Sequence, residues 1–152
     1  MQLVSLLSPA AVFPHLPALS KKQALKQLAA HAAGTTGLGE KEIYATLMDR
    51  EQMGCTAMGG GVCVPHGRFE LLSRSYVFFA TFASPIEFGA QDGRPVDLLF
   101  LLLTPADANS EHIKALALVS RLLRDKALAE KLRTTYDSAA LYHLLTRERE
   151  DA

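Results

Sequence analysis

Two stretches of this chain are apolar on both faces of an extended backbone. In Ser75–Ala83 the side chains of Tyr76, Phe78, Ala80 and Phe82 alternate with Val77, Phe79 and Ala83; in Val96–Leu103, Val96, Leu98, Phe100 and Leu102 oppose Leu99, Leu101 and Leu103. Successive side chains of a strand point to opposite sides, so neither stretch has a face that water can wet. Both are predicted to be central strands, and each side of their sheet needs a covering layer. Between them Ile86 and Phe88 read as a short strand, and Gln91-Asp92-Gly93-Arg94-Pro95 reads as a turn. Asp97, near the start of the second stretch, is expected to serve a backbone or cross-strand hydrogen bond rather than catalysis.

Helices flank these strands in sequence. Ser20-Lys21-Lys22-Gln23 has the form of a capping box, after which Leu25, Leu28, Ala29 and Ala32 fall on one helical face until Gly34. After a loop over Thr35–Gly39, a second helix is predicted from Glu40 to Met53, closed by Gly54. Beyond Pro105, Ser110 is expected to cap a third, with His112, Leu116, Val119 and Leu123 as its inward stripe. Asp125 leads a short helix bearing Leu128 and Leu132, and Asp137 or Ser138 leads another bearing Leu141, Leu144 and Leu145. Pro9, Pro14 and Pro17 forbid a long helix in Leu3–Leu19, which should run along the surface with Leu6, Leu7, Val12 and Phe13 tucked inward. The tail from Arg147 to Ala152 is charged and expected to fray. The fold class that follows is α/β, a mixed β-sheet sandwiched between helices on both faces, as a single domain over residues 1–152.

A chain of 152 residues with 49% hydrophobic side chains fills one core of ordinary size. Sixteen Lys and Arg balance sixteen Asp and Glu, so no global field calls for a nucleic acid or an anionic membrane. The apolar runs stop short of the 18 or more residues a membrane span needs, and Met1–Leu19 lacks the basic start of a leader, which points to a soluble, cytoplasmic chain without membrane insertion. The two cysteines, Cys55 and Cys63, fit no CxxC redox or zinc pattern and are expected to be small interior fillers in a reducing compartment.

The candidate chemistry centres on Gly59-Gly60-Gly61-Val62-Cys63-Val64-Pro65-His66-Gly67-Arg68. A glycine loop feeds a short apolar strand; Pro65 keeps Val64 extended and leaves His66 little freedom. Gly67, without a Cβ, would admit another backbone or a phosphoryl group close to it. Largely neutral at pH 7, an imidazole so held offers a free nitrogen as nucleophile. On these residues alone, a histidine after proline also reads as an ordinary turn residue. Arg50 follows Ile43 and Leu47 at i+7, on the inward stripe of the second helix, where it either meets an anion or offsets its own helix end. His112 lies within the first turn of the third helix, beside unpaired amides, and reads equally as a hydrogen-bonded core residue. One nucleophile with two cationic or hydrogen-bonding neighbours suits a phosphoryl group. A zinc hydrolase using His66 and His112 would lack a third ligand at any suggestive spacing, and neither metal nor cofactor is expected.

These residues also carry a resemblance. Gly54–Arg68, Pro85-Ile86-Glu87-Phe88, Asp92–Phe100 and Glu111-His112 resemble, in order and spacing, the enzyme IIA family of the bacterial phosphotransferase system. The likeness is greatest to its nitrogen-regulatory members, with the fructose/mannitol-type domains as relatives. The resemblance implies a mixed sheet between helices, a phosphoryl group accepted by His66 from a histidine-containing phosphocarrier protein, and Arg50 and His112 beside it. Regulation of target proteins according to phosphorylation state is the first expectation, motivated by the lack of a fused membrane or IIB segment. Passage of the phosphate to a IIB partner during sugar uptake is the alternative. The family's usual loop, Ser-Thr-Gly-Ile-Gly-Asn-Gly, keeps Thr56, Gly59 and Gly61 here, while Cys55, Ala57, Met58 and Gly60 replace the other four. The docking surface is expected around His66, on Gly67 and Phe69, with Arg68 at the rim. His15, His31 and His143 belong to no constellation.

Overall fold

The computed structural model describes residues 1–147; the expectation of a frayed tail falls almost wholly outside them. The chain order is β1 (Val12–Leu16), α1 (Lys21–Thr36), α2 (Glu40–Gln52), β2 (Ala57–Gly59), β3 (Val62–Cys63), β4 (His66–Phe69), β5 (Tyr76–Ile86), β6 (Val96–Pro105), α3 (Asn109–Arg124), α4 (Lys126–Arg133) and α5 (Ser138–Thr146). The strands form one mixed sheet in the order β1-β5-β6-β3-β2, with β4 paired to β6 beyond β3. β5 and β6 are antiparallel, whereas β1 runs parallel to β5, and β3 and β4 run parallel to β6. Leu98 through Leu103 are each 0% exposed, which two helical layers achieve together. At about 25 cal/mol per Å² of apolar surface, this central strand is a main source of folding free energy.

Register assigns the layers. His66 pairs with Leu102, Gly67 with Leu103 and Arg68 with Thr104. Thr104 bonds His112 of α3, whereas a Cβ placed on Gly67 would stand 2.9 Å from Cγ2 of Thr46 in α2. The side chains of His66 and Arg68 therefore face the α3 layer, and α2 covers the opposite side.

Several local expectations are revised. Residues 12–16 form an edge strand rather than a surface coil; Pro14 is tolerated because an edge strand leaves one row of amides unpaired. A register irregularity between Phe13 and Leu16, with His15 at φ 54°, absorbs the misfit, and His15 N–H donates to Thr81 Oγ1 at 2.8 Å. Ile86 does not start a separate strand: β5 continues through an irregularity after Thr81 and pairs Ile86 with Val96. Helix α1 passes through Gly34 and ends at Gly37, in the left-handed conformation at φ 79°. Ser20 caps it as expected, its Oγ accepting from Gln23 N, while Gln23 Oε1 accepts from the amide of Leu19, one residue before the N-cap. Ser110 caps nothing, since α3 begins one residue earlier with Ala108 as its N-cap. Asp125 and Asp137 do cap α4 and α5, accepting from Leu128 N and Ala140 N. Cys63 is fully buried and Cys55 half-buried, both as free thiols.

Candidate active site

His66 does not end the preceding strand but starts β4, after the buried break Val64-Pro65. Its ring is held at both nitrogens. Nδ1 lies 2.8 Å from the Val64 carbonyl, and Nε2 lies 3.1 Å from Arg50 Nε. A carbonyl only accepts and a guanidinium only donates, so Nδ1 carries the hydrogen and Nε2 presents its lone pair. Burial lowers the pKa of His66 from its ordinary 6.5; the Val64 bond works against this and the Arg50 charge adds to it. The imidazole is thus neutral at pH 7, in one tautomer, with its lone-pair nitrogen against a cation.

Arg50 comes from α2, in the layer opposite to the one His66 faces, and its Nη1 donates to Gly54 O at 2.9 Å. His112 comes from α3, buried to 5% exposure, with its ring centroid 5.4 Å from that of His66. Its Nδ1 lies 2.6 Å from Oγ1 of the fully buried Thr104. Burial first, then the charge of Arg68 and the His66 ring, lower its pKa to about 4. Arg68 follows His66 by two residues on the same face of β4 and donates to the side chain of Asn109 at the start of α3. The structure thus brings Arg50, His66 and His112 together.

Sequence reasoning placed Arg50 on the buried stripe of α2, but the fully inward position is Glu51, after Ile43 and Leu47 at i+8. That spacing was a readable signal. Glu51 accepts Lys21 Nζ at 2.7 Å and both the amide and the hydroxyl of Thr56, joining the start of α1, the end of α2 and the loop that leads to His66. A buried carboxylate needs such partners. The altered loop is also accounted for. Cys55 Sγ–H donates to Phe88 O at 3.2 Å where the usual hydroxyl is missing, and Gly60 N–H donates to Asp92 at 2.8 Å. The Asp97 amide donates to Gly61 O at 2.9 Å, but its side chain bonds neither backbone nor a neighbouring strand; the carboxylate pairs with Arg133 of α4 at 2.8 Å.

The expected docking residues do not fit their role. Gly67 is buried and Phe69 is 2% exposed, so the missing Cβ admits Thr46 and the Phe69 ring rather than a partner. The exposed apolar side chains flanking the site elements are Met53, Leu71 and Ile113, with Arg68 exposed between them in sequence. His31 stacks on Phe13 with centroids 4.3 Å apart, and His15 meets Tyr136 edge-on at 4.2 Å. Among the described residues no three His, Cys, Asp or Glu side chains gather as a metal site would require, and no helix is long and apolar enough to cross a membrane.

Residues 5–148 match the family model of the phosphoenolpyruvate-dependent sugar phosphotransferase system, EIIA 2. The chain belongs to this enzyme IIA family. Over 145 residues it is 47% identical to a nitrogen regulatory protein of Bradyrhizobium diazoefficiens, covering 95% of each chain. The crystal structure of the nitrogen regulatory protein IIA-Ntr from Neisseria meningitidis superposes with a TM-score of 0.89 at 28% identity, over 93% of this chain and 97% of that one. The mannitol enzyme IIA of Escherichia coli, in its complex with phosphorylated enzyme IIB, shares the fold with a TM-score of 0.77 at 21% identity, over 92% and 98% of the two chains. This IIA protein thus stands among nitrogen-regulatory members of a family of phosphotransferases, with sugar-specific IIA domains as relatives.

Proposed function

We propose that this IIA protein is a cytoplasmic regulatory phosphocarrier, acting as one domain over residues 1–152, that carries a phosphoryl group on His66. The observation that carries the proposal is the Arg50 Nε–H aimed at His66 Nε2 across 3.1 Å, which leaves the nucleophilic lone pair on Nε2. The Nε2 lone pair forms the new N–P bond as the donor's N–P bond breaks, and the bonding electrons return to the donor imidazole of a histidine-containing phosphocarrier protein. No proton has to leave Nε2, because Nδ1 already holds it against Val64 O. Arg50, displaced from the nitrogen, then bonds a phosphoryl oxygen, and the neutral His112 supplies a hydrogen-bond donor without a further charge. The added charge of about −2 at one surface spot changes which targets the protein binds.

The test is intact-mass measurement after incubation with phosphoenolpyruvate, the general phosphotransferase enzyme and the phosphocarrier protein. One acid-labile phosphoryl group is expected, and none in His66→Ala, which should retain its fold because His66 is only half-buried. Undiminished labelling of that variant would sink the assignment. The second reading, a sugar-specific IIA component, is favoured by the fold shared with the mannitol protein; rapid transfer from the labelled protein to a IIB partner would establish it.

A further inference from the structure

A cavity of about 610 Å³ lies away from His66, where α3 gives way to α4 beside the β2–β3 turn. Val62 pairs with Leu98 and His66 with Leu102, so the two places are separated by four residues of β6, about 13 Å. In a chain of zero net charge, this cavity is lined by Arg94, Arg124, Lys126 and Arg133, with Glu130 as the one carboxylate in its lining.

Structural duties account for only one of these cations. Arg133 is committed: it pairs with Asp97 at 2.8 Å, reaches Glu130 at 3.5 Å and donates to Gly60 O at 2.5 Å, pinning the glycine turn to α4. Arg94, Arg124 and Lys126 are exposed, and among the described residues no acceptor engages their charged ends. Lys126 occupies the first position of α4, where a cation opposes the positive end of the helix and costs stability. The Asp92 carboxylate, which accepts from Gly60 N and Arg94 N, also feels the Arg94 charge and offsets part of it. The apolar part of the lining is the exposed Met58, backed by the buried Val62, Leu123 and Ala129.

We infer that this cavity binds a nucleoside di- or triphosphate, with the phosphates on Arg94, Arg124 and Lys126 and the base over Met58. Three exposed cations around one opening match a polyphosphate better than a single phosphate, and Met58 gives a planar base an apolar surface to cover. The volume accommodates both parts. Because Arg133 ties the cavity to Gly60, and the chain from Gly60 runs through β3 to Pro65, an occupant here sits on the segment that carries the phosphorylatable ring.

The inference stands apart from the phosphotransfer reading, and calorimetric titration of the full chain with ATP, ADP, adenosine and inorganic phosphate tests it. One equivalent of ATP should bind, ADP more weakly, with affinity falling as salt rises; adenosine and inorganic phosphate should bind far more weakly than either. Arg94→Ala combined with Arg124→Ala removes two exposed side chains, so the fold should persist and ATP binding should weaken on the order of 100-fold. His66→Ala should bind ATP as the unaltered protein does, and the arginine double variant should still be labelled at His66 at the original rate. Absence of saturable ATP binding, equal binding of adenosine or phosphate, undiminished binding by the double variant, or loss of binding in His66→Ala would each overturn the inference.

Discussion

The tautomer of His66 is set by two contacts that agree. Val64 O takes the Nδ1 hydrogen and Arg50 faces the Nε2 lone pair, so the ring pays no rearrangement before attack. Arg50 also holds Gly54 O, which in the proposed reaction would keep its guanidinium in place when a phosphoryl group takes the nitrogen. Arg50→Ala should therefore slow phosphoryl transfer on the order of 10²- to 10³-fold with little change in the melting temperature, as for other lost transition-state donors. Rapid-quench kinetics checks this, and an unaltered rate would reduce Arg50 to a structural role. At this scale the sequence was partly legible. The Pro-His-Gly order and the i+7 spacing located His66 and Arg50, but Thr104 and Asn109 gave no local signal, because strand register and the start of α3 bring them to the site. Glu51 was legible from its i+8 position, though masked by the habit of expecting a charged residue to face water.

Among the elements, β4 shows how one missing methyl group decides packing. Gly67 lies against Thr46 of α2 at a distance that leaves no room for a Cβ, and the Phe69 ring closes the other side at 3.2 Å. Gly67→Ala should cost roughly 1–3 kcal/mol as α2 is pushed outward, and Thr46→Ser in the same chain should recover part of it by removing the methyl that clashes. Urea unfolding of the single and double variants gives the comparison; additive losses would show that the contact is not the cause. The strand pair β5–β6 could be read from sequence because burial on both faces leaves one interpretation. Strand β1 could not, since Pro14 argues against a ladder unless the strand is known to lie at an edge, and that depends on the topology of the whole sheet. Gly34 misled for a related reason: glycine ends a helix only where the left-handed turn is adopted, and here Gly37 adopts it.

For the whole molecule, two neutral histidines, His112 buried and His66 half-buried, make stability depend on acidity. Both have folded-state pKa values below 6.5, His112 at about 4. Below 6.5 the unfolded chain takes up protons that the folded chain refuses, so stability is complete above that value and falls as pH drops toward 4. The shift of His112 alone corresponds to a loss on the order of 3 kcal/mol by the time pH reaches its folded-state value. Urea unfolding at pH 7 and pH 4.5 should show a smaller acid loss for His112→Gln than for the unaltered protein, and equal losses would contradict the burial argument. The layered architecture was readable in advance because it follows from hydrophobic pattern alone. What no pattern reveals is that Arg50 and His112 reach His66 from opposite helical layers. A chain that has docked only one layer, whether nascent, damaged or partly melted, carries the histidine yet lacks half of its escort, so this cluster of three side chains exists only where both layers have closed on the sheet.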